Sequence, residues 1–220
     1  MDPFAAEREA MVEIQLRRRG IHDDRVLAAM AKVPRHLFVP ENHRHNAYWD
    51  GPLPIGSGQT ISQPYVVALT CELLEIKPED NVLDIGAGSG YAAAVLAELA
   101  ARVVSIERLP ELTDLARSNL EAAGYGNVEV LCADGTLGCP DKAPFDAIAV
   151  AAGAPAVPAS LKQQLKVGGR LVIPVGTSKR LQDLVRVRRV SEQEFKTEDF
   201  GGVAYVPLVG AEGWSEGDTN

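Results

Sequence analysis

An α/β fold with a doubly wound, mostly parallel sheet, an antiparallel edge and extra N-terminal helices is what three observations in this chain predict. From Val82 onward, apolar and β-branched runs alternate with helical patterns, and runs this continuous suit parallel strands buried on both faces. One run, Val82-Leu83-Asp84-Ile85, ends in Gly86-Ala87-Gly88-Ser89-Gly90 and passes at once into a helical pattern. Beyond Pro174 the pattern turns to apolar/polar alternation, the mark of an antiparallel edge.

Residues 4–19 carry Phe4, Ala5, Met11, Ile14 and Leu16 among charges, an amphipathic helix stopped by Gly20. Arg17-Arg18-Arg19 reads as its solvated C-terminus, favoured by the macrodipole, rather than as a nucleic-acid patch. Asp23 or Asp24 caps a second helix through Val26, Leu27 and Met30, which Pro34 closes. His36, His43 and His45 lack a Cys or carboxylate at ligand spacing, so they read as surface or hydrogen-bonding groups and no metal is expected.

Residues 48–63 are rich in Pro and Gly yet interleave Leu53, Ile55 and Ile61, which predicts a structured loop; long loops in compact domains tend to be functional. Pro64 then opens a helix over 65–74, leaving Ser62 and Gln63 at its N-terminus, where hydroxyl and N–H groups can hold an anion. Further helices are expected over 92–101, 110–123 (ended by Gly124) and 158–165 (closed by Gly168-Gly169). Strands are expected over 103–107, 128–132, 147–151 and 170–175, then edge strands within 181–190 and 195–209, with Pro207 taking the last out of the ladder. Residues 212–220 read as a frayed tail. With no repeat or second core, residues 1–220 form a single domain: N-terminal helices and loop to 80, a binding core over 81–176, an edge over 177–211, then the tail.

A net charge of −8 without a long basic stretch argues against a phosphate backbone as partner. No apolar run approaches membrane-spanning length, and Met1-Asp2-Pro3-Phe4 does not open a signal peptide. Cys71, Cys132 and Cys139 form no paired motif, so reduced thiols in the cytoplasm are expected.

The glycine turn brings backbone close to a nucleotide-like ligand at a strand's carboxyl end. It departs from the dinucleotide fingerprint: the third glycine comes one residue early, and Tyr91 stands where the last glycine would pack. Asp84 would repel a pyrophosphate but suits a cationic ligand. Glu107 ends the next strand about 20 residues after the first glycine, where an acid grips ribose hydroxyls. Ribose with positive charge points to S-adenosylmethionine. Asp134 follows a third strand at the same edge, placed to accept from an adenine amino group, although each acid could instead cap a following helix.

Nearly the whole chain resembles the protein-L-isoaspartate O-methyltransferases. The loop Pro52-Leu53-Pro54-Ile55-Gly56-Ser57-Gly58-Gln59-Thr60-Ile61-Ser62-Gln63-Pro64 is similar to that family's own signature, and residues 82–91 resemble the more widely shared first cofactor motif. Residues 165–176 and Tyr205-Val206-Pro207-Leu208 resemble further family stretches. The chain departs from the pattern at Ala151, where a threonine is expected, and at Tyr48-Trp49-Asp50. The resemblance implies a Rossmann-like methyltransferase fold. It also implies methyl transfer from S-adenosyl-L-methionine, leaving S-adenosyl-L-homocysteine, to the α-carboxylate of L-isoaspartyl residues in damaged proteins and peptides. It makes Ser62 the catalytic residue. It assigns Gln59, Thr60, Asp84, Gly86, Gly88, Ser89, Tyr91, Glu107, Arg108, Asp134 and Gly135 to the cofactor. Ile61, Ser62, Gln63, Ala152, Val206, Pro207 and Leu208 go to the substrate. A monomer is expected, with no nucleic-acid or membrane partner.

The chemistry suits these residue types. A carboxylate is already an anion at neutral pH, so attack on a methyl sulfonium needs alignment and dryness rather than a general base. The alternatives are a methyltransferase acting on a small molecule or, against the acidic balance, a nucleic acid, a non-catalytic cofactor-binding relative and an NAD-dependent oxidoreductase. An amino-group methylase would carry an Asn/Asp-Pro-Pro-aromatic motif, and residues 151–155 show none.

Overall fold

The computed structural model describes residues 3–178 and 181–217. Helix α1 (Ala5–Ala10) runs into a π-helical turn over Met11–Leu16 and a 3-10 turn over Arg17–Arg19, ended by Gly20 at φ +98°. The expected helix is therefore present but widened. Met11 and Leu16, five apart, are both buried, and the wider i→i+5 turn brings that spacing toward one face. Helix α2 (Asp24–Lys32) is capped by Asp23, whose carboxylate accepts from the Arg25 and Val26 N–H groups.

Part of the stretch expected as a loop is a β-hairpin, β1 (Leu53–Gly56) with β2 (Gln59–Ile61). Its turn holds Gly56, Ser57 and Gly58 all at positive φ. Pro54 hid the strand from a propensity reading, although Leu53, Ile55 and Ile61 are buried as their alternation requires. Helix α3 (Pro64–Leu74) follows, with Pro64 at its first position.

Then come β3 (Asn81–Ile85), α4 (Tyr91–Leu99), β4 (Arg102–Glu107), α5 (Pro110–Ala122), β5 (Val128–Cys132), β6 (Phe145–Val150), α6 (Ala159–Gln163) and β7 (Leu165–Val175). The antiparallel strands β8 (Gln182–Arg189) and β9 (Phe195–Val203) finish the sheet. Its order is β5-β4-β3-β6-β7-β8-β9, parallel from β5 to β7 and antiparallel beyond. Strand β7 begins five residues earlier than the expected strand over 170–175. Gly168 at φ +85° lies in a register shift where Leu165 pairs Phe145 and Arg170 pairs Ala147, so the glycine pair bulges a strand instead of closing a helix.

Alternate residues of each central strand feed two cores. Val82, Val103, Ala147 and Val172 pack with α2 to α5 on one face, while Leu83, Val104, Ile148 and Leu171 pack with Leu161 of α6 and Leu208 on the other. The strand order reverses at β3, with β4 on one side and β6 on the other. That switch point is where such sheets open a ligand crevice.

The frayed tail is also corrected. Over 208–216 the Trp214 amide donates to Leu208 O (2.8 Å), its indole Nε1 donates to Gly153 O (2.9 Å), and Glu212 accepts from the Ser160 amide (3.0 Å) and hydroxyl. Residues 218–220 lie outside the described residues.

Candidate active site

At the switch point the Gly86 and Ala87 amides both donate to Ile106 O (2.8 and 3.2 Å), folding the loop after β3 back over β4. Gly86, Gly88 and Gly90 all sit at positive φ. A Cβ at Gly90 would press on Ala116 O and Leu120, so the third glycine serves the contact between α4 and α5. Asn119 Nδ2 donates to Ser89 O (2.9 Å) and ties the loop to α5.

Glu107, 7% exposed, wires this loop to the next turn. Its Oε2 accepts from the Gly88 amide (3.0 Å), and its Oε1 accepts from the Arg108 (2.8 Å) and Leu109 (3.0 Å) amides. A carboxylate offers about four acceptor positions, so lone-pair capacity remains on Oε2, and Glu107 lines the cleft.

Gln59, Thr60, Ile61 and Ser62 form the opposite wall, and Val206 to Val209 close the side. Backbone bonds hold that closing segment: the Gly153 amide donates to Val206 O and the Leu208 amide to Gly153 O, both 2.8 Å. Of the expected cofactor set, Gln59, Thr60, Gly86, Gly88, Ser89, Tyr91, Glu107, Arg108 and Gly135 line this one cleft; so do Ile61, Ser62, Ala152, Val206, Pro207 and Leu208 of the substrate set. Ala151 lines it too, with a methyl where a threonine would bring a hydroxyl.

Three expected residues lie elsewhere. Gln63 Nε2 donates to Asp50 Oδ1 (2.7 Å), and Asp50 also pairs with Arg19 (2.8 Å), so Gln63 braces the loop from outside the cleft. Asp134 caps the turn after β5: Oδ1 accepts from the Thr136 amide (2.9 Å) and hydroxyl (2.7 Å), Oδ2 from the Ala211 amide (2.8 Å). Burial works to raise its pKa, but the Ala211 and Thr136 donors prevail and hold it below the ordinary value. Asp134 thus makes the cap of this turn, and its neighbour Gly135 lines the cleft.

Asp84, fully buried, lies beneath the cleft and not in its wall. It borders a small internal cavity shared with Ser62, Thr70, Cys71, Ala149 and Tyr205. Its Oδ2 accepts from Ser105 Oγ (2.6 Å), while Oδ1 has no partner among the described residues. Burial pushes its pKa up to about 6; the Ser105 bond opposes that and the Glu107 charge adds to it. The same cavity is lined by Tyr205; burial lifts its phenol to about 12, while the neighbouring Thr70 and Ser62 hydroxyls oppose the rise.

The sequence reading missed Arg35 altogether. It is wholly buried, donates to the carbonyls of Ala47 (2.7 Å) and Ser62 (2.8 Å), and lies 4.7 Å from the ring centre of Tyr91. A charged residue inside Val33-Pro34-Arg35-His36-Leu37-Phe38-Val39 was the available signal.

A crevice at the switch point of a doubly wound sheet, with a glycine loop and a ribose-spaced acid, defines an enzyme of the nucleoside-cofactor, Rossmann-like methyltransferase class. The family model "Protein-L-isoaspartate(D-aspartate) O-methyltransferase (PCMT)" matches residues 6–213. The chain is 63% identical over 207 residues to protein-L-isoaspartate O-methyltransferase 2 of Marinobacter nauticus, covering 94% of each chain. It is 58% identical over 206 residues to the protein-L-isoaspartate O-methyltransferase of Rhodopseudomonas palustris, again 94% of each. Among solved structures, a protein-L-isoaspartate O-methyltransferase aligns with TM-score 0.86 at 30% identity, over 94% of this chain and 67% of that one. A Plasmodium falciparum chain described as a beta-aspartate methyltransferase, in complex with S-adenosyl-L-homocysteine, aligns with TM-score 0.80 at 26% identity, over 92% of this chain and 98% of that one. The chain belongs to the protein-L-isoaspartate(D-aspartate) O-methyltransferase family.

Proposed function

We propose that this chain methylates the α-carboxylate of L-isoaspartyl residues in damaged proteins and peptides, with S-adenosyl-L-methionine as donor. The residues fit that cofactor. Gly88 at φ +54° lets the backbone approach a ligand, Glu107 offers acceptor capacity to ribose hydroxyls, and the unpartnered Asp84 oxygen below favours positive charge. When bound, the cofactor supplies a methyl carbon on a sulfonium: a carboxylate oxygen bonds that carbon, the carbon–sulfur bond breaks, and its electron pair leaves with sulfur.

No proton moves in that exchange, and the composition of the wall supports it. Among the described residues, the cleft lining holds no His, Lys or Asp. Its Tyr91 has a phenol pushed up to about 12 by burial, and its Glu107 is committed to three amide donors. The single observation that carries the reading is that the Ser62 wall and the Glu107 wall face one cleft that contains no poised base. Ser62 orients the incoming carboxylate by hydrogen bonding, Ile61 and Leu208 keep the approach dry, and the Pro207 carbonyl, which receives no backbone bond among the described residues, is the group this segment offers to an extended peptide. Backbone recognition suits acceptors with varied flanking sequences.

No helix among the described residues is long and apolar enough to cross a membrane. The acidic balance and three free thiols support a cytoplasmic protein with no nucleic-acid partner. Paired peptides that differ only in an isoaspartyl or an aspartyl linkage test the function through formation of S-adenosyl-L-homocysteine. Turnover is expected with the isoaspartyl member only; equal rates on both would reject the assignment.

A further inference from the structure

A fully buried guanidinium without a carboxylate is expensive to keep, because the interior does not replace the lost hydration. Among the described residues no acid forms an ion pair with Arg35, and its Nη1 has no hydrogen-bond partner. Its two bonds go instead to the carbonyls at either end of one segment. Nε takes Ala47 O (2.7 Å), where the chain enters the acceptor loop, and Nη2 takes Ser62 O (2.8 Å), where it leaves.

Local structure frees both carbonyls for this. Helix α3 begins to accept at Gln63, whose carbonyl receives the Val66 and Val67 amides, so the Ser62 carbonyl stands one residue outside the helix. The third contact is with the opposite wall: Tyr91, the first residue of α4 after the glycine loop, lies with its ring 4.7 Å from the guanidinium carbon. One planar side chain thus touches both ends of the 47–62 segment and the foot of the glycine loop.

We propose that Arg35 is a positioning residue that clasps the acceptor loop shut and sets Ser62 at a fixed distance from the glycine loop. Arg35 reaches no reacting atom; it acts through the Ser62 backbone. A planar fork suits the task, since one rigid group spans two carbonyls while a lysine ammonium is a single point on a flexible stem. The proposal rests on the methyl-transfer reading for its kinetic arm only.

The test compares wild type, Arg35→Lys, Ser62→Ala and the double variant, with S-adenosyl-L-methionine and an isoaspartyl hexapeptide. Arg35→Lys is expected to lower kcat/KM for the peptide by at least tenfold, while calorimetric Kd for S-adenosyl-L-homocysteine stays within threefold. The double variant should lose no more than Ser62→Ala alone, because both changes act on one group. Independent losses that multiply, or a loss confined to cofactor Kd, would overturn the proposal. Amide exchange gives an arm that needs no turnover: residues 53–62 should exchange at least tenfold faster in Arg35→Lys with S-adenosyl-L-homocysteine bound, and unchanged protection would overturn it. Failure of wild-type turnover would strike the functional reading and leave the exchange arm deciding this one. Arg35→Gln keeps a donor for one carbonyl and replaces Arg35→Lys if that variant does not fold; failure of both to fold would assign Arg35 to the core and also overturn it.

Discussion

Replacing Asp84 by asparagine is expected to make the cofactor-free protein more stable and the cofactor-binding site worse. Asp84 is fully buried, with one oxygen on Ser105 and the other without a partner. Its pKa stands at about 6 against an ordinary 3.8. A raised carboxyl pKa means that the folded chain holds this proton more tightly than the unfolded chain does. Its stabilising contribution is therefore complete below pH 3.8 and is lost as pH rises through about 6. At ~1.4 kcal/mol per pKa unit, the ionised group costs the fold ~3 kcal/mol above that window. The amide introduced by Asp84→Asn would carry no charge and would still accept from Ser105, so about 1–3 kcal/mol should return at pH 7.5. Urea unfolding of both proteins from pH 4 to 8 reads this directly. The gap between Asp84→Asn and wild type should open between pH 4 and 6 and stay open above. Saturating S-adenosyl-L-methionine should narrow it, because positive charge above the cavity compensates the carboxylate only in wild type. A variant less stable than wild type at pH 7.5, or a gap that ignores pH, would refute the electrostatic reasoning.

Glu107→Gln replaces a carboxylate that accepts from three amides with a group that has one oxygen and a donor facing other donors. Calorimetric Kd for S-adenosyl-L-homocysteine should rise at least tenfold, ~1.4 kcal/mol; an unchanged Kd would remove Glu107 from the cofactor site. Gly88→Ala must hold a Cβ at φ +54°, 3.1 Å from Ile55 Cδ1; left-handed backbone costs ~1–2 kcal/mol for a non-glycine residue. A Tm lower by ~2–8 °C is expected, at ~2–4 °C per kcal/mol for a chain of this size. Trp214→Phe removes the indole bond to Gly153 O, worth ~0.5–1.5 kcal/mol. Because the same carbonyl receives the Leu208 amide, the peptide KM should rise more than kcat falls.

What the sequence revealed follows the range of the forces involved. The glycine turn, the Pro64-led helix, the Asp23 cap and the parallel strands are written in local residues, and each was legible within a residue or two except β7, whose bulged start lies five residues earlier than its apolar run. The hairpin at Leu53–Gly56 was missed because Pro54 forbids one ladder bond while burial of Ile55 and Ile61 drives the pairing. The anchored tail depends on Ala211 reaching Asp134 and Trp214 reaching Gly153, contacts 61 or more residues apart that no local pattern carries. The same distance hid the Ala211 bond to Asp134. Arg35 was invisible for a related reason: its partners are backbone carbonyls, which leave no complementary residue to notice.

Base-free transfer from an oriented carboxylate is tested most directly by kcat against pH, with S-adenosyl-L-methionine and isoaspartyl peptide both saturating and S-adenosyl-L-homocysteine as the readout. For wild type, kcat should be level from about pH 6.5 to 9, well above the ~4 of an ordinary carboxyl group, and Ser62→Ala should run lower but parallel to it. A limb in that range that vanishes in Ser62→Ala would mean that the hydroxyl takes part in proton transfer, and would contradict an orienting serine.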